Sequence, residues 1–425
     1  MALSNAVRKG ASGIKKILRL ARKGSGVEHL YRCHVRPYLK RDRRARFILT
    51  PGSLGRAGRR LAPEIEHQIR RHLDTVLSMP TRLAPPSMND FGPIADFKRR
   101  DKPVKALIVM SKFINGDPFQ IESDFCFHFT RSAKAAGMEV KNFYSDRCTY
   151  NIKDTILAQK HLAELQGIIV KDAPDIVVFD GNFIGCSEGI NSEWWATLKQ
   201  KCRFNLVTVI GDCYPPHQDY LAYWKSELSV VFCRKSIYAQ KYSSPKQLII
   251  APGLPFSEDA LDREATENKD IVFSCIGSAH RNRHEFCSRV KKTKLTTKIM
   301  LHTRFKKEAL PISDYINTTC RSKIVFNTGF VDRETSIVTF RAVEAILCKA
   351  LLLEEEGVAL GDYFTPWHHF IPVYNAHEIA IYTQFFDRNE PYRQRIVEEA
   401  FSMHQTHYSS KAFWCTVLNK LGLAG

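Results

Sequence analysis

Ile271-Val-Phe-Ser-Cys-Ile-Gly-Ser-Ala-His-Arg-Asn-Arg283 is the stretch that decides the fold. A mostly apolar run stops at Gly277, a polar turn with two arginines follows, and a helical pattern begins after it. That order predicts a strand, a loop and a helix start. Backbone N–H groups and fixed cations at such a place can hold phosphate. Further along stands Ser336-Ile-Val-Thr-Phe-Arg-Ala-Val-Glu-Ala345, where Arg341 and Glu344 are spaced to share one helix face. A guanidinium suits a diphosphate and a carboxylate suits a ribose diol. The pair therefore suggests a nucleotide-sugar site. The plainer alternative is a surface ion pair, which contributes little.

Working outward, the same alternation fills most of the chain. Short apolar runs at 105–110, 140–144, 175–179, 205–210, 229–233 and 248–251 read as strands, with helices at 120–137, 154–170 and 192–201. A second set starts at Asp270, with strands at 271–276, 298–302, 323–327, 350–354 and 370–374. Its helices are expected at 281–291, 313–320, 339–348 and 359–364, and one long helical tail at 389–422. Apolar strands separated by helices predict parallel sheets covered on both faces. Two such units in tandem place a cleft between the carboxyl ends of their strands. The expected division is 1–100 as a basic, partly helical extension and linker, 101–256 as a first Rossmann-like unit, and 257–425 as a second with terminal helices.

Charge supports that division. The 425 residues carry a net +19, and residues 1–100 hold 23 Lys/Arg against 7 Asp/Glu, leaving the remainder nearly neutral. Residues 1–24 read as a short basic helix able to lie on an anionic membrane surface, or as a solvated tail. The segment lacks interleaved aromatics, so nucleic acid is an unlikely partner by its pattern. An Arg-rich, acid-poor start also resembles a mitochondrial presequence, a minor alternative to the cytoplasm. The 12 cysteines form no C-x-x-C pair and read as reduced, buried thiols. No stretch reaches the ~20 apolar residues of a membrane helix. No G-x-G-x-x-G or phosphate-loop motif is present, which argues against a dinucleotide oxidoreductase or an NTPase.

The order of these motifs resembles the CgeB-like, spore-maturation-protein type of glycosyltransferase. The resemblance runs from Asp270 to about Leu421 through Gly277-Ser-Ala-His-Arg-Asn-Arg283, Ser322-Lys-Ile-Val-Phe-Asn327, Arg341-Ala-Val-Glu-Ala345 and Leu351-Leu-Leu-Glu354. It extends more weakly over 105–256 and leaves 1–100 uncovered. It implies the GT-B fold, two facing Rossmann-like domains with chemistry between them. It also implies transfer of a sugar from a nucleotide-diphosphate donor to a glycan, lipid-linked or protein acceptor. A non-catalytic nucleotide- or glycan-binding protein and a nucleotide-sugar epimerase are the alternatives on the same fold. In the resemblance the donor-binding set is Gly277, Ser278, His280, Arg281, Arg283, Asn327, Ser336, Arg341 and Glu344. Arg281 or Arg283 would supply a cation to the diphosphate, and Glu344 would hold the ribose. Two positions depart from the wider class. Ser336 stands where a second glutamate is common, and Lys349 stands where a glycine usually follows the helix.

Loss of a diphosphate needs its developing charge stabilised, by a metal or by helix starts with Arg or Lys. The sequence has no Asp-x-Asp pair. The expectation is therefore metal independence and no cofactor besides the nucleotide-sugar substrate. In the first unit, Asp212 follows a buried strand and could take a proton from an acceptor hydroxyl, as could His128. A turn cap for Asp212 and a satisfied core position for His128 are the alternatives. Trp194-Trp195 and Phe125–Phe129 read as core, with a sugar-stacking platform the sharper possibility.

Overall fold

The computed structural model describes residues 61, 63–81, 102–113, 121–147, 155–181, 190–211, 224–232, 248–251, 253–262, 269–278, 283–293, 295–302, 310–330 and 336–424. The basic helix expected over 1–24 lies outside them.

Eleven described strands form two sheets. The first contains β1 (Lys105–Met110), β2 (Glu139–Tyr144), β3 (Ile176–Asp180), β4 (Asn205–Ile210), β5 (Leu228–Val231) and β6 (Leu248–Ile250), in the order β2-β1-β3-β4-β5-β6. The second contains β7 (Ile271–Ser278), β8 (Thr297–His302), β9 (Ser322–Asn327), β10 (Leu351–Glu355) and β11 (Ile371–Val373), in the order β11-β10-β9-β7-β8. Every pairing is parallel. The strand order reverses at β1 in the first sheet and at β7 in the second. The crevices where such sheets bind ligands therefore open beside β1 and β3 and beside β7 and β9.

Of the helices α1 (Pro63–Leu77), α2 (Asp124–Ala135), α3 (Thr155–Asp172), α4 (Ser192–Lys201), α5 (Glu258–Asp262), α6 (Arg283–Ser288), α7 (Ile312–Cys320) and α8 (Phe340–Leu347), all but α1 and α5 lie close to the expected places; α1 falls within the partly helical extension and α5 where no helix is expected. The helix expected at 359–364 is one short 3-10 turn, Ala359–Asp362. The end of the chain differs more. The expected single tail is α10 (Glu390–His407) and α11 (Ser410–Lys420), broken where Ser409 caps the second by accepting from the Ala412 amide at 3.3 Å. A helix the pattern did not reveal, α9 (Ala376–Arg388), precedes them. Nine consecutive residues of it, Glu378–Phe386, are buried, so it shows no polar stripe to betray a helical period. Its start is nonetheless written in Asn375, whose side chain accepts from the His377 and Glu378 amides.

Two helices depart from a simple division of the chain. Helix α1 buries Ile65, Ile69, Leu73 and Val76 in the same cluster as Phe273, Phe326, Trp367 and Phe385 of the second unit. Helix α11 returns to the first unit: Trp414 donates its indole N–H to Ser132 at 3.0 Å, and Phe413 and Trp414 pack edge-on against Phe129. One continuous apolar cluster therefore runs from Ile108 and Phe129 through Phe256 to Val343 and Trp414. The Trp195 ring is core, buried against Phe179 and Phe204, as read from the sequence.

Candidate functional site

The carboxyl ends of β7 and β9 and the start of α8 meet at one place. Gly277, near the end of β7, has φ +137, a conformation L side chains rarely adopt. A Cβ there would stand 2.9 Å from an Arg341 guanidinium nitrogen. The glycine is thus required twice, by its backbone and by the arginine lying over it. Arg341, in the first turn of α8, is half-buried and donates from Nε to Asn327 Oδ1 at 3.5 Å. Asn327, the last residue of β9, donates from Nδ2 to Thr339 Oγ1 at 2.6 Å and to Glu354 Oε2 at 2.7 Å. The fold thus brings Gly277, Ser278, Asn327, Arg341 and Glu344 to one place, with Ser336 just before α8.

Glu344, one turn after Arg341, is 3% exposed and is not the surface ion-pair partner its spacing allowed. It accepts from the Tyr315 hydroxyl at 2.7 Å. Its other oxygen lies 3.8 Å from His128 Nε2, across the junction of the two units. Burial, with the Glu344 charge beside it, holds the Tyr315 hydroxyl well above its ordinary range.

His128 occupies a buried core position in which Nδ1 is hydrogen-bonded and Nε2 has no hydrogen-bond partner among the described residues. It is buried between Phe127 and Phe256, and its Nδ1 accepts from the Ser257 amide at 3.1 Å. That bond places the proton of a neutral ring on Nε2, the nitrogen turned toward Glu344. Neither nitrogen is therefore open to take a proton from an acceptor, which corrects the base role considered for it.

Asp124, missed in the sequence, begins α2 four residues before His128, on the same face. It keeps partial solvent exposure, yet burial pushes its carboxyl up to about 6, and the Glu344 charge adds to the rise while His128 and Arg341 oppose it. The i, i+4 spacing to His128 was the available signal.

Arg283 is also placed differently from the expectation. It is buried and donates to the Ser278 carbonyl at 2.7 Å and the Thr328 carbonyl at 3.2 Å, tying the ends of β7 and β9 together. Burial, and Arg341 nearby, lower its pKa to about 10. Ser336 is buried and pairs by its backbone with Phe330, while the Ile337 amide donates to the Gly329 carbonyl at 2.8 Å. Asp212, His280 and Arg281 lie outside the described residues. Among the described residues no group of His, Cys, Asp and Glu has the arrangement of a metal site.

Lys349 takes the left-handed conformation, φ +51, that the usual glycine would supply. The helix still ends in the familiar way. Lys349 N–H donates to the Ile346 carbonyl at 3.0 Å and Ala350 N–H to the Ala345 carbonyl at 2.9 Å. The lysine ammonium sits 4.8 Å from the centre of the Phe401 ring.

Residues 259–419 match the family described as glycosyl transferase-like. No curated protein sequence matches the chain. Among solved structures, the fold is similar to a glycosyltransferase from Rickettsia africae, at 12% identity and a TM-score of 0.50 over 75% of this chain and 98% of that one. It is similar to Anabaena HepE in complex with UDP and glucose, at 10% identity and a TM-score of 0.52 over 75% and 99%. An alpha-glucosyltransferase in complex with UDP and a DNA 13-mer aligns at 9% identity and a TM-score of 0.51 over 76% and 100%. The chain thus has the GT-B fold of two Rossmann-like units, with residues 259–419 similar to the glycosyl transferase-like family.

Proposed function

We propose that this chain transfers a sugar from a nucleoside-diphosphate donor to a glycan, lipid-linked or protein acceptor. The observation that carries the reading is Arg341 laid across Gly277 where the second sheet reverses its strand order, with Glu344 one turn beyond. The donor rests mainly on 257–425, with its diphosphate against Arg341 and the start of α8. Its ribose takes one carboxylate oxygen of Glu344, displacing the Tyr315 hydroxyl. As the bond from the anomeric carbon to the diphosphate oxygen breaks, Arg341 meets the charge that develops on the leaving group. The acceptor hydroxyl forms the new bond to that carbon and loses its proton to Asp124, on the facing helix of the first unit. The order of Gly277, Asn327, Arg341 and Glu344 supports a CgeB-like enzyme.

The reaction proceeds in this reading without a metal, because guanidinium and helix start do the work of a cation. Activity that a chelator abolishes and manganese restores would contradict that point. The basic segment 1–100 holds the enzyme at an anionic membrane face in the cytoplasm. Flotation with anionic liposomes tests this, since equal recovery of the full chain and one lacking 1–60 would remove the idea.

Donor binding is tested by thermal unfolding with a panel of nucleoside diphosphates and their sugar conjugates, on the wild type and on Glu344→Ala. A bound nucleotide raises apparent stability by mass action. The expected result is a rise with one base type that Glu344→Ala reduces. No rise with any nucleotide would overturn the reading. The close Tyr315–Glu344 pairing also favours a second reading, a nucleotide-binding protein without turnover. Nucleotide binding with no sugar transferred to any acceptor would select it.

A further inference from the structure

A second polar layer lies beneath Arg341. Asn327 is 2% exposed, and both hydrogens of its amide nitrogen are committed, one to Thr339 Oγ1 and one to Glu354 Oε2. Its carbonyl oxygen is thereby left facing Arg341 Nε. An amide turned the other way would set N–H against N–H and push the guanidinium aside. Thr339 is a hydroxyl that can donate or accept, so it fits either orientation. Glu354 fits only the observed one while its facing oxygen is an acceptor. The side chain that decides where Arg341 points is therefore Glu354, on the neighbouring strand and out of reach of any ligand.

Glu354 is 1% exposed and follows three leucines on β10. The charged groups facing it are Glu355 on its own strand and Arg283 from α6, with the Gly329 amide beside them. Arg341 lies one side chain further out, beyond Asn327. Burial pushes the Glu354 carboxyl up to about 8, Glu355 adding to the rise and Arg283 opposing it. Against burial, the Asn327 amide, Arg283 and the Gly329 amide favour the carboxylate. An anion settling on Arg341, one side chain further out, adds repulsion and favours the protonated form.

Resting on the donor reading above, we infer that Glu354 is a positioning residue that aims Arg341 through Asn327 and takes up a proton when a diphosphate binds. The proton comes from solvent and ends on the Glu354 carboxyl. Since the bound state then holds more protons, affinity falls as pH rises, by at most tenfold per pH unit for one proton.

The test is calorimetric binding of uridine diphosphate and of inorganic pyrophosphate at pH 7.5 and 9, on the full chain. Wild-type affinity should fall about three- to tenfold between the two. Glu354→Gln keeps an acceptor for Asn327 and has no proton to gain. It should bind at pH 7.5 and show a smaller fall than wild type, the part that remains from titration of the probe itself. Glu354→Ala should lose about tenfold at both values, the size of a hydrogen bond to a charged group. If Glu354→Ala does not fold, Glu354→Gln decides alone. A fall in Glu354→Gln equal to that of the wild type overturns the inference while leaving the donor reading intact. Binding of neither probe by the wild type overturns both. If pyrophosphate binds and the nucleotide does not, the nucleoside part of the donor reading fails and the pyrophosphate slopes decide this inference by the same criterion.

Discussion

The two sheets are built alike, each a parallel ladder whose strand order reverses at its first strand, and they end differently. Around the carboxyl ends of β7, β9 and β10 the described residues are polar and buried: Asn327, Thr328, Glu354 and Arg283, with Arg341 above them. At the matching ends of β3 and β4, past Asp180, the backbone is tightly covered by aromatic rings. The Trp224 indole lies 2.9 Å from where a Cβ on Gly181 would be, and the Phe125 ring fills the space beside Gly211. Fixed polar groups in a water-poor setting are what a diphosphate needs, because they stabilise charge without reorganising. The first unit contributes a partly buried acid, Asp124, at the start of a helix that packs toward the second. One half holds a charge over buried polar groups, and the other offers a titratable acid facing it.

The largest expected effect tests the first-unit side of that contrast. Asp124→Asn should reduce turnover about 10²- to 10⁴-fold, the usual contribution of a positioned base. With its carboxyl near 6, the wild type should gain activity as pH rises through 6, when the base form appears. Its effect on stability has the opposite sign. A carboxyl raised from 3.8 in the unfolded chain to about 6 in the fold favours folding at low pH, and the fold loses that stability as pH rises from 4 to 6. Steady-state rates and melting curves at pH 5, 6 and 7 check both. An Asp124→Asn variant with full activity would move the base elsewhere.

Next in size is the junction itself. Phe256→Ala removes a buried ring that packs against His128 at 4.9 Å and Phe340 at 6.4 Å. It should cost about 3–5 kcal/mol by denaturant unfolding. A loss under 1 kcal/mol would show that the two units do not share one core. Gly277→Ala sharpens the second-sheet side. Strain at φ +137 should cost about 1–3 kcal/mol, and the displaced guanidinium should weaken nucleotide binding more than the fold. Equal losses in both would mean Arg341 plays no special part. The smallest effect is at Lys349→Gly. Relief of a left-handed non-glycine residue is worth about 1 kcal/mol, and the lost cation–π contact with Phe401 returns about 0.5. A net stabilisation of about 0.5 kcal/mol is expected from melting curves.

The fold was legible because its strands are short apolar runs with polar punctuation, and every described strand falls on a run visible in the sequence. Helix α9 was not, because a helix buried all round has no stripe. The tail was read as one helix because the break needs only Ser409 and one backbone turn. In the site, Gly277, Arg341 and Glu344 were readable from local spacing. Tyr315 and Glu354 were not, since their roles come from pairing across strands and helices distant in the chain. For His128 the sequence left a base and a core position open, and for Arg283 a diphosphate cation, because sequence shows what a group can do and packing decides which atoms it meets.

Co-crystallisation with uridine diphosphate tests the central claim most directly. The account predicts the diphosphate over Gly277, with its oxygens within hydrogen-bond distance of the Arg341 guanidinium and a ribose hydroxyl on Glu344. A nucleotide bound elsewhere, or a Glu344 still closed on Tyr315 with the ribose turned away, would contradict it.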